Sequence, residues 1–327
     1  QPRAHLAAGH GRMTRRIRLR AAHRGAWGAA ILTALIVVAI AATIATTMLA
    51  RQQAGIDAEE ARRHAAQARW ILRGALDWAR LILREDARST SVDHLGEAWA
   101  VPLKAIALKQ FLAVGERADD AVYDAQLAGH IDDAQARFNL RNLVNDNQAS
   151  DDDVQAFMRL LSALGEPDAK SIAAQALASV EGVTRGTLFS PLQATDLMPA
   201  LTAEQRDRIA PYVAWLPRRT LVNANTASAE VLQAVVPGLQ LSEAKTIVTR
   251  RASTFYRNPA DFLQLIPGFK QTGVAPISTQ SQYFIVTGQV LWGNLTVEER
   301  ALVERNGLTV RIVSVEYGPT IPAKAES

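Results

Sequence analysis

The sequence has no cysteine, so no disulfide can staple it and no thiolate can act as nucleophile or metal ligand. It also lacks the G-x-S-x-G elbow, the H-E-x-x-H pair and the glycine pattern of a phosphate-binding loop. Of its six histidines, His5, His10 and His23 fall in the first 25 residues, while His64, His94 and His130 stand alone. Triads and metal centres need convergence that this spacing does not supply. These absences leave no catalytic constellation, and we expect no enzymatic activity.

Charge of one sign is missing from the start of the chain. Residues 1–25 contain Arg3, Arg12, Arg15, Arg16, Arg18, Arg20 and Arg24 but no acid. These seven arginines exceed the formal net charge of +4, so everything after them is net acidic. The basic excess therefore belongs to one short arm and not to a nucleic-acid-binding face. Charge of either sign is then absent from Ala26 to Ala50, AWGAAILTALIVVAIAATIATTMLA. As a helix this run spans roughly 37 Å at 1.5 Å per residue, enough for a bilayer's roughly 30 Å core. It is expected to be a transmembrane helix. The alternative, the core of a cleaved secretory signal, runs to only about 7–15 residues. The positive-inside rule keeps the arginine arm cytoplasmic and exports the rest.

Proline is missing from Arg51 to Asp86, where strong helix formers dominate. Ile56, Ala61, Ala65, Ala68, Leu72, Ala75, Leu76, Ala79 and Leu83 recur at helical spacing as one stripe. The membrane helix is expected to continue into this amphipathic one, with a hinge at Gly55 as the alternative. Ser89–Val101 reads as a loop, and Val122–Ala128 and Ala136–Val144 as weak strands.

From Ser150 the texture is helical. Ser150 caps a helix beginning at Asp151 and ended by Gly165, and Thr202 with Gln205 forms a capping box. Thr226 or Asn225 caps AEVLQAVV, Ser242 caps EAKTIVTRR, and Asn258-Pro259 with Asp261 starts a further helix. Past Pro276, Gln282–Leu291 and Leu308–Tyr317 are β-branched runs. Between them Thr296 with Glu299 predicts a short capped helix closed by Gly307.

Two patterns hint at ligands. Asp119–Asp120, Asp132–Asp133 and Asp151–Asp153 are acidic clusters, but calcium needs about 6–8 oxygens from a curled loop, and aspartates at helix starts act as dipole partners. Leu221–Arg251 looks like a helix–hairpin–helix unit of DNA-binding proteins. Its hairpin reads Pro237-Gly238-Leu239-Gln240, one glycine short of a phosphate-binding pair, although Lys245, Arg250 and Arg251 supply positive charge. A packing module for protein contacts is the favoured role.

Four stretches carry a family resemblance: G-A-A-I-L-T-A-L-I-V-V-A (Gly28–Ala39), L-R-E-D-A-R with D-H-L-G-E-A-W-A (Leu83–Ala100), Q-A-R-F-N-L-R-N-L (Gln135–Leu143), and L-V-N-A-N-T-A-S-A-E-V-L (Leu221–Leu232). Together they resemble the general secretion pathway protein K family, minor pseudopilins of the type II secretion system. The resemblance implies an α+β, pilin-like fold: a transmembrane helix continues into a long amphipathic helix packed on a small antiparallel sheet, interrupted by a large all-α insertion with a SAM-like helix–hairpin–helix unit. It divides the chain into a leader (1–28), a transmembrane helix (29–50), the first part of the pilin-like domain (51–145), the insertion (146–276) and closing strands (277–327).

It further implies prepilin-peptidase cleavage between Gly28 and Ala29, with Gly25 as the competing site, and methylation of Ala29. The expected role is a hetero-oligomeric tip of the periplasmic pseudopilus, anchored in the inner membrane of a Gram-negative cell. Minor pseudopilins of the I, J and H families and the major pseudopilin are the expected partners, and nucleic acid is not. Pilin-type subunits usually have glutamate where this chain has Thr33, which cannot form the usual ion pair in lipid. Thr33 either marks a tip position or simply bonds back to its own helix. The family's calcium loop has no counterpart in Glu166–Leu197, so the calcium ligands are not carried over. The reading from another class is a membrane-anchored DNA receptor.

Overall fold

The computed structural model describes residues 25–109, 125–190, 193–266, 276–293, 295–318 and 321–322, with side chains left out at 25–29 and 321–322. The arginine arm, Asp119–Asp120 and Val122 lie outside the described residues. The chain divides into two compact units, Gln1–Glu60 and Ala61–Ser327.

Helix α1 is Gly25–Ser89, unbroken at Gly55 and Gly74. In the first unit all its described side chains are solvent-exposed, including Ile31, Leu35, Val38 and Ile44. The hydroxyls of Thr33, Thr43, Thr46 and Thr47 donate to carbonyls of the preceding turn, so between Ala30 and Ala50 the polar side chains are engaged with their own helix. Among the described residues this is one helix long and apolar enough to cross a membrane, which suits a membrane-anchored component.

In the second unit the helical stripe meets a sheet. The strands are β1 (Leu103–Ala107), β2 (Gln126–Asp133), β3 (Phe138–Asn139), β4 (Val144–Asn145), β5 (Gln148–Ala149), β6 (Val213–Ala214), β7 (Val222–Asn223), β8 (Ile277–Ser278), β9 (Tyr283–Trp292), β10 (Leu295–Asn306), β11 (Thr309–Tyr317) and β12 (Ile321–Pro322). The main sheet is antiparallel in the order β1-β2-β9-β10-β11, with β12 also on β10. Ala68, Leu72, Leu76, Ala79 and Leu83 of α1 are buried on one face against Leu127, Phe284, Val286, Val290, Ala301 and Val303. Each buried leucine contributes roughly 1.5–3 kcal/mol. Ile56 and Ala61 are exposed, so the packed part of the stripe begins later than the periodicity implied. Tyr283 and Ile285 point to the opposite face, against Ala214 and Leu216, and this two-sided burial is why Y-F-I-V is a continuous apolar run.

Neighbouring strands β2 and β9 are separated in sequence by a mostly helical stretch. Its helices are α2 (Asp151–Ala163), α3 (Ala169–Thr184), α4 (Ala203–Ile209), α5 (Ala229–Val235), α6 (Leu241–Arg251) and α7 (Pro259–Leu263). They enclose a core that includes Phe138, Phe157, Leu160, Ala176, Leu232 and Phe262. The stretch expected to be all-α also contains β6 and β7, which pair in parallel with β3 and β8. The caps at Thr202–Gln205 and Asn258–Asp261 form as expected. Ser228, not Asn225 or Thr226, caps α5, and Gln240, not Ser242, caps α6. Of the expected strand Ala136–Val144, Leu140–Leu143 is a 3-10 turn.

The largest correction falls on Thr296–Gly307, a strand instead of a capped helix. Val297, Glu299, Ala301 and Val303 are buried in alternation, the period of a half-covered strand. Gly293 and Gly307 have φ of +55° and +56°; Gly293 directly follows Trp292, which pairs with Leu295, and Gly307 opens the two-residue loop 307–308. Glycine at the first position of such a loop is the primed-turn signal. Hairpin closure on both sides thus overrides the helix propensity of E-E-R-A-L-V-E-R.

Candidate functional site

The residues expected to be processed, Gly28 and Ala29, lie in the first turns of α1, whose first helical residue is Gly25. Thr33 lies one turn further on, and its Oγ1 donates to the Ala30 carbonyl at 2.9 Å.

A second set of residues is drawn together from distant parts of the sequence. Asn223, fully buried at the end of β7, places Nδ2 2.9 Å from Asp133 Oδ2, 3.0 Å from Ser281 Oγ and 3.1 Å from the Asp93 carbonyl. Asp133 Oδ2 also accepts from Thr226 Oγ1 and Ser281 Oγ, both at 2.6 Å, and Oδ1 from the Gln135 amide at 2.8 Å. Asp93 accepts from the Ser281 amide at 2.7 Å. Arg305 of β10 donates to Asp86 at 2.8 Å, to Asp93 and to the Ser281 carbonyl, with its guanidinium 4.7 Å from the Phe284 ring centre. Glu97 accepts from Thr90 Oγ1, the His94 amide and Trp99 Nε1 at 2.8–2.9 Å.

Each polar type has a reason to be there. Asn223 offers a carboxamide with two donors and an acceptor, and Asn225 spans the Tyr256 amide and carbonyl at 2.8 and 2.9 Å. Asn139 and Asn142 bind the backbone of residues 216–220 in the same manner. Asn225 and Thr226 are committed to these bonds, which leaves the α5 cap to Ser228. The junction holds four carboxylates, Asp86, Asp93, Glu97 and Asp133, around one arginine. Burial, then the Glu97 charge, pushes Asp86 up to about 6 against the pull of Arg305. Burial likewise raises Asp93 and Asp133.

The family model described as "Type II secretion system (T2SS), protein K" matches residues 222–281, from the start of β7 to Ser281 of this junction. The protein K of Klebsiella pneumoniae is 29% identical over 89% of this chain and 96% of its own length. That of Pseudomonas aeruginosa is 28% identical over 83% and 86%. That of Pectobacterium carotovorum is 26% identical over 89% and 96%. Over most of its length the chain is similar to type II secretion system protein K. A chain in the crystal structure of the GspK–GspI–GspJ complex from enterotoxigenic Escherichia coli shares the fold, with a TM-score of 0.63 at 19% identity over 80% of this chain and 99% of that one.

Three of the four resemblance segments meet at the junction. Leu83–Ala100 contributes Asp86, Asp93 and Glu97, Gln135–Leu143 contributes Gln135, and Leu221–Leu232 contributes Asn223 and Thr226. The sequence reading left Asp133 as a dipole partner and Asp93 in a loop, and it missed Arg305 and Ser281. Had Leu295–Asn306 been read as a strand, Arg305 would have fallen on its buried face as a charge needing acids.

Calcium does not fit the described residues of Glu166–Leu197. In the region of the family's calcium loop, Glu166 is held by Arg208 and Gln205, Glu181 by Arg185, and Asp196 by the Gln193 amide. These carboxylates do not converge. Asp86, Asp93 and Glu97 do place oxygens within 4.8 Å of one another. The Arg305 guanidinium bridges the first two, and both Glu97 oxygens already accept donors, so these oxygens are engaged within the protein.

The helix–hairpin–helix is present as α5 and α6, with Gly238 at φ +85° between them. It is not arranged for phosphate. The Gln240 amide, at the missing second glycine, donates to Glu243 at 2.9 Å. Arg251 turns inward to the Ala224 carbonyl, and burial lowers it to about 10. A carboxylate stands where a phosphate would bind, and the DNA-receptor alternative has no support.

Proposed function

We propose that this chain is a minor pseudopilin at the tip of the periplasmic pseudopilus, where it helps initiate assembly for protein export across the outer membrane. α1 carries the reading: one helix has an uncharged, exposed N-terminal stretch and, further on, a stripe that packs on an antiparallel sheet. In this reading the arginine arm is cytoplasmic, the body periplasmic and the anchor in the inner membrane. Prepilin peptidase cuts between Gly28 and Ala29, and Ala29 is methylated. Residues 51–145 and 277–327 form the pilin-like domain, and 146–276 is an insertion docked through the Asp133–Asn223–Ser281 junction.

In this reading Thr33 offers no carboxylate to a neighbour's N-terminus, while the bond of its hydroxyl to the Ala30 carbonyl is the geometry of the alternative role. The partners are minor pseudopilins of the I, J and H families and the major pseudopilin. Co-expression of the full chain with its I- and J-family counterparts and prepilin peptidase tests this. A detergent-solubilised ternary complex containing the cut chain is expected, and a chain that elutes alone would contradict the reading.

A further inference from the structure

Away from the polar junction, one row of residues crosses the sheet with little in it. Leu103, Gly129, Gly288 and Glu299 stand opposite one another on β1, β2, β9 and β10. The row faces α1, since a Cβ added at Gly288 would come within 2.9 Å of Leu72 Cδ2. Two adjacent glycines leave the sheet surface bare beside Glu299. A cavity of about 250 Å³ lies there between α1, residues 98–103 and strands β2 and β9, lined mainly by apolar side chains and by Glu299.

Glu299 is 4% exposed, and its Oε2 has no hydrogen-bond partner among the described residues. Arg73 on α1 acts on it electrostatically without an ion pair within 4 Å among those residues. The cavity reaches the surface beside Val101 and Trp78, which are 69% and 43% exposed. A buried carboxylate is ordinarily paired, because charge removed from water needs a counter-charge or donors. Here the protein supplies apolar walls, a glycine floor and an acceptor.

We propose that this cavity receives a cationic side chain, lysine or arginine, from a neighbouring subunit of the assembly. Its methylene stem lies along Leu72, Leu76 and Val286, and its head reaches Glu299. An acidic side chain would meet like charge, and a purely apolar one would leave the carboxylate unpaired. The inference rests on the reading of the chain as an assembly subunit and names the contact chemistry that reading lacks.

The test places a photo-cross-linking amino acid at Val101 of the full chain, in cells that make the rest of the secretion apparatus, and sequences the adduct. An adduct on one pseudopilus subunit, beside a lysine or arginine, is expected. Its yield should fall about tenfold or more in Glu299→Gln, and likewise when that cation is replaced by methionine. Glu299→Gln in the isolated protein should melt at or above wild type, since a buried charge is removed; a lower melting point makes Glu299 structural and overturns the proposal. It is also overturned by no adduct, an adduct indifferent to Glu299, a site lacking a cation, or an adduct on a second copy of this chain. Cleavage at Gly28 and recovery of the I- and J-family partners, followed in the same strains, separate the two failures: their loss sinks the assembly reading, their persistence only the cavity.

Discussion

Asn223 shows how much one carboxamide can hold. It joins β7 to Asp93, Asp133 and Ser281, and no smaller side chain reaches all three. Asn223→Ala leaves Asp133 and Ser281 short of a donor and should cost about 2–4 kcal/mol, read as a lower thermal midpoint. Asp86 makes a pH prediction with a definite sign. Its folded value of about 6 lies above the unfolded 3.8, so the folded state takes up the proton first on acidification. Its contribution is fully present below the unfolded value and lost as pH rises through about 6. The wild-type melting point should therefore rise relative to that of Asp86→Asn between pH 7 and pH 5. At this scale the sequence made Asn223, Thr226 and Glu97 visible as parts of familiar segments but hid their roles. A hydrogen bond from residue 223 to residue 133 leaves no local trace, because the register of the strands decides it.

Among the elements, helix ends were the most legible. Thr202–Gln205 and Asn258–Asp261 cap as read, since a cap is settled within four residues. The same local rule failed at Thr296–Glu299. A threonine and a glutamate three apart also fit a strand, and W-G-N-L and N-G-L-T on either side were the stronger signals, pointing to hairpins. Gly307→Val should cost about 1–2 kcal/mol, because a β-branched residue resists the positive φ of that turn. In the helix–hairpin–helix, Glu243→Ala removes the box on the Gln240 amide and should cost about 1 kcal/mol. Neither the wild-type chain nor this variant should be retained on DNA at low salt, because Arg251 stays turned inward to the Ala224 carbonyl. Salt-dependent retention of either would revive the nucleic-acid reading.

Over the whole molecule, the absence of charge from Ala26 to Ala50 and of acid before it carried most of the reading. Those features are extended and need no tertiary information, whereas the course of the chain between β2 and β9 depends on long-range pairing. Thr33→Glu tests the tip argument. A carboxylate there would favour the interior of the fibre, so pseudopilus initiation should drop while cleavage continues, and unchanged initiation would leave Thr33 without a part in placement. The account stands most directly on how the chain is processed. N-terminal sequencing of the protein from cells with and without prepilin peptidase should find Ala29 first only where the peptidase is present. An uncut chain in both, or a start near Ala50, would contradict it.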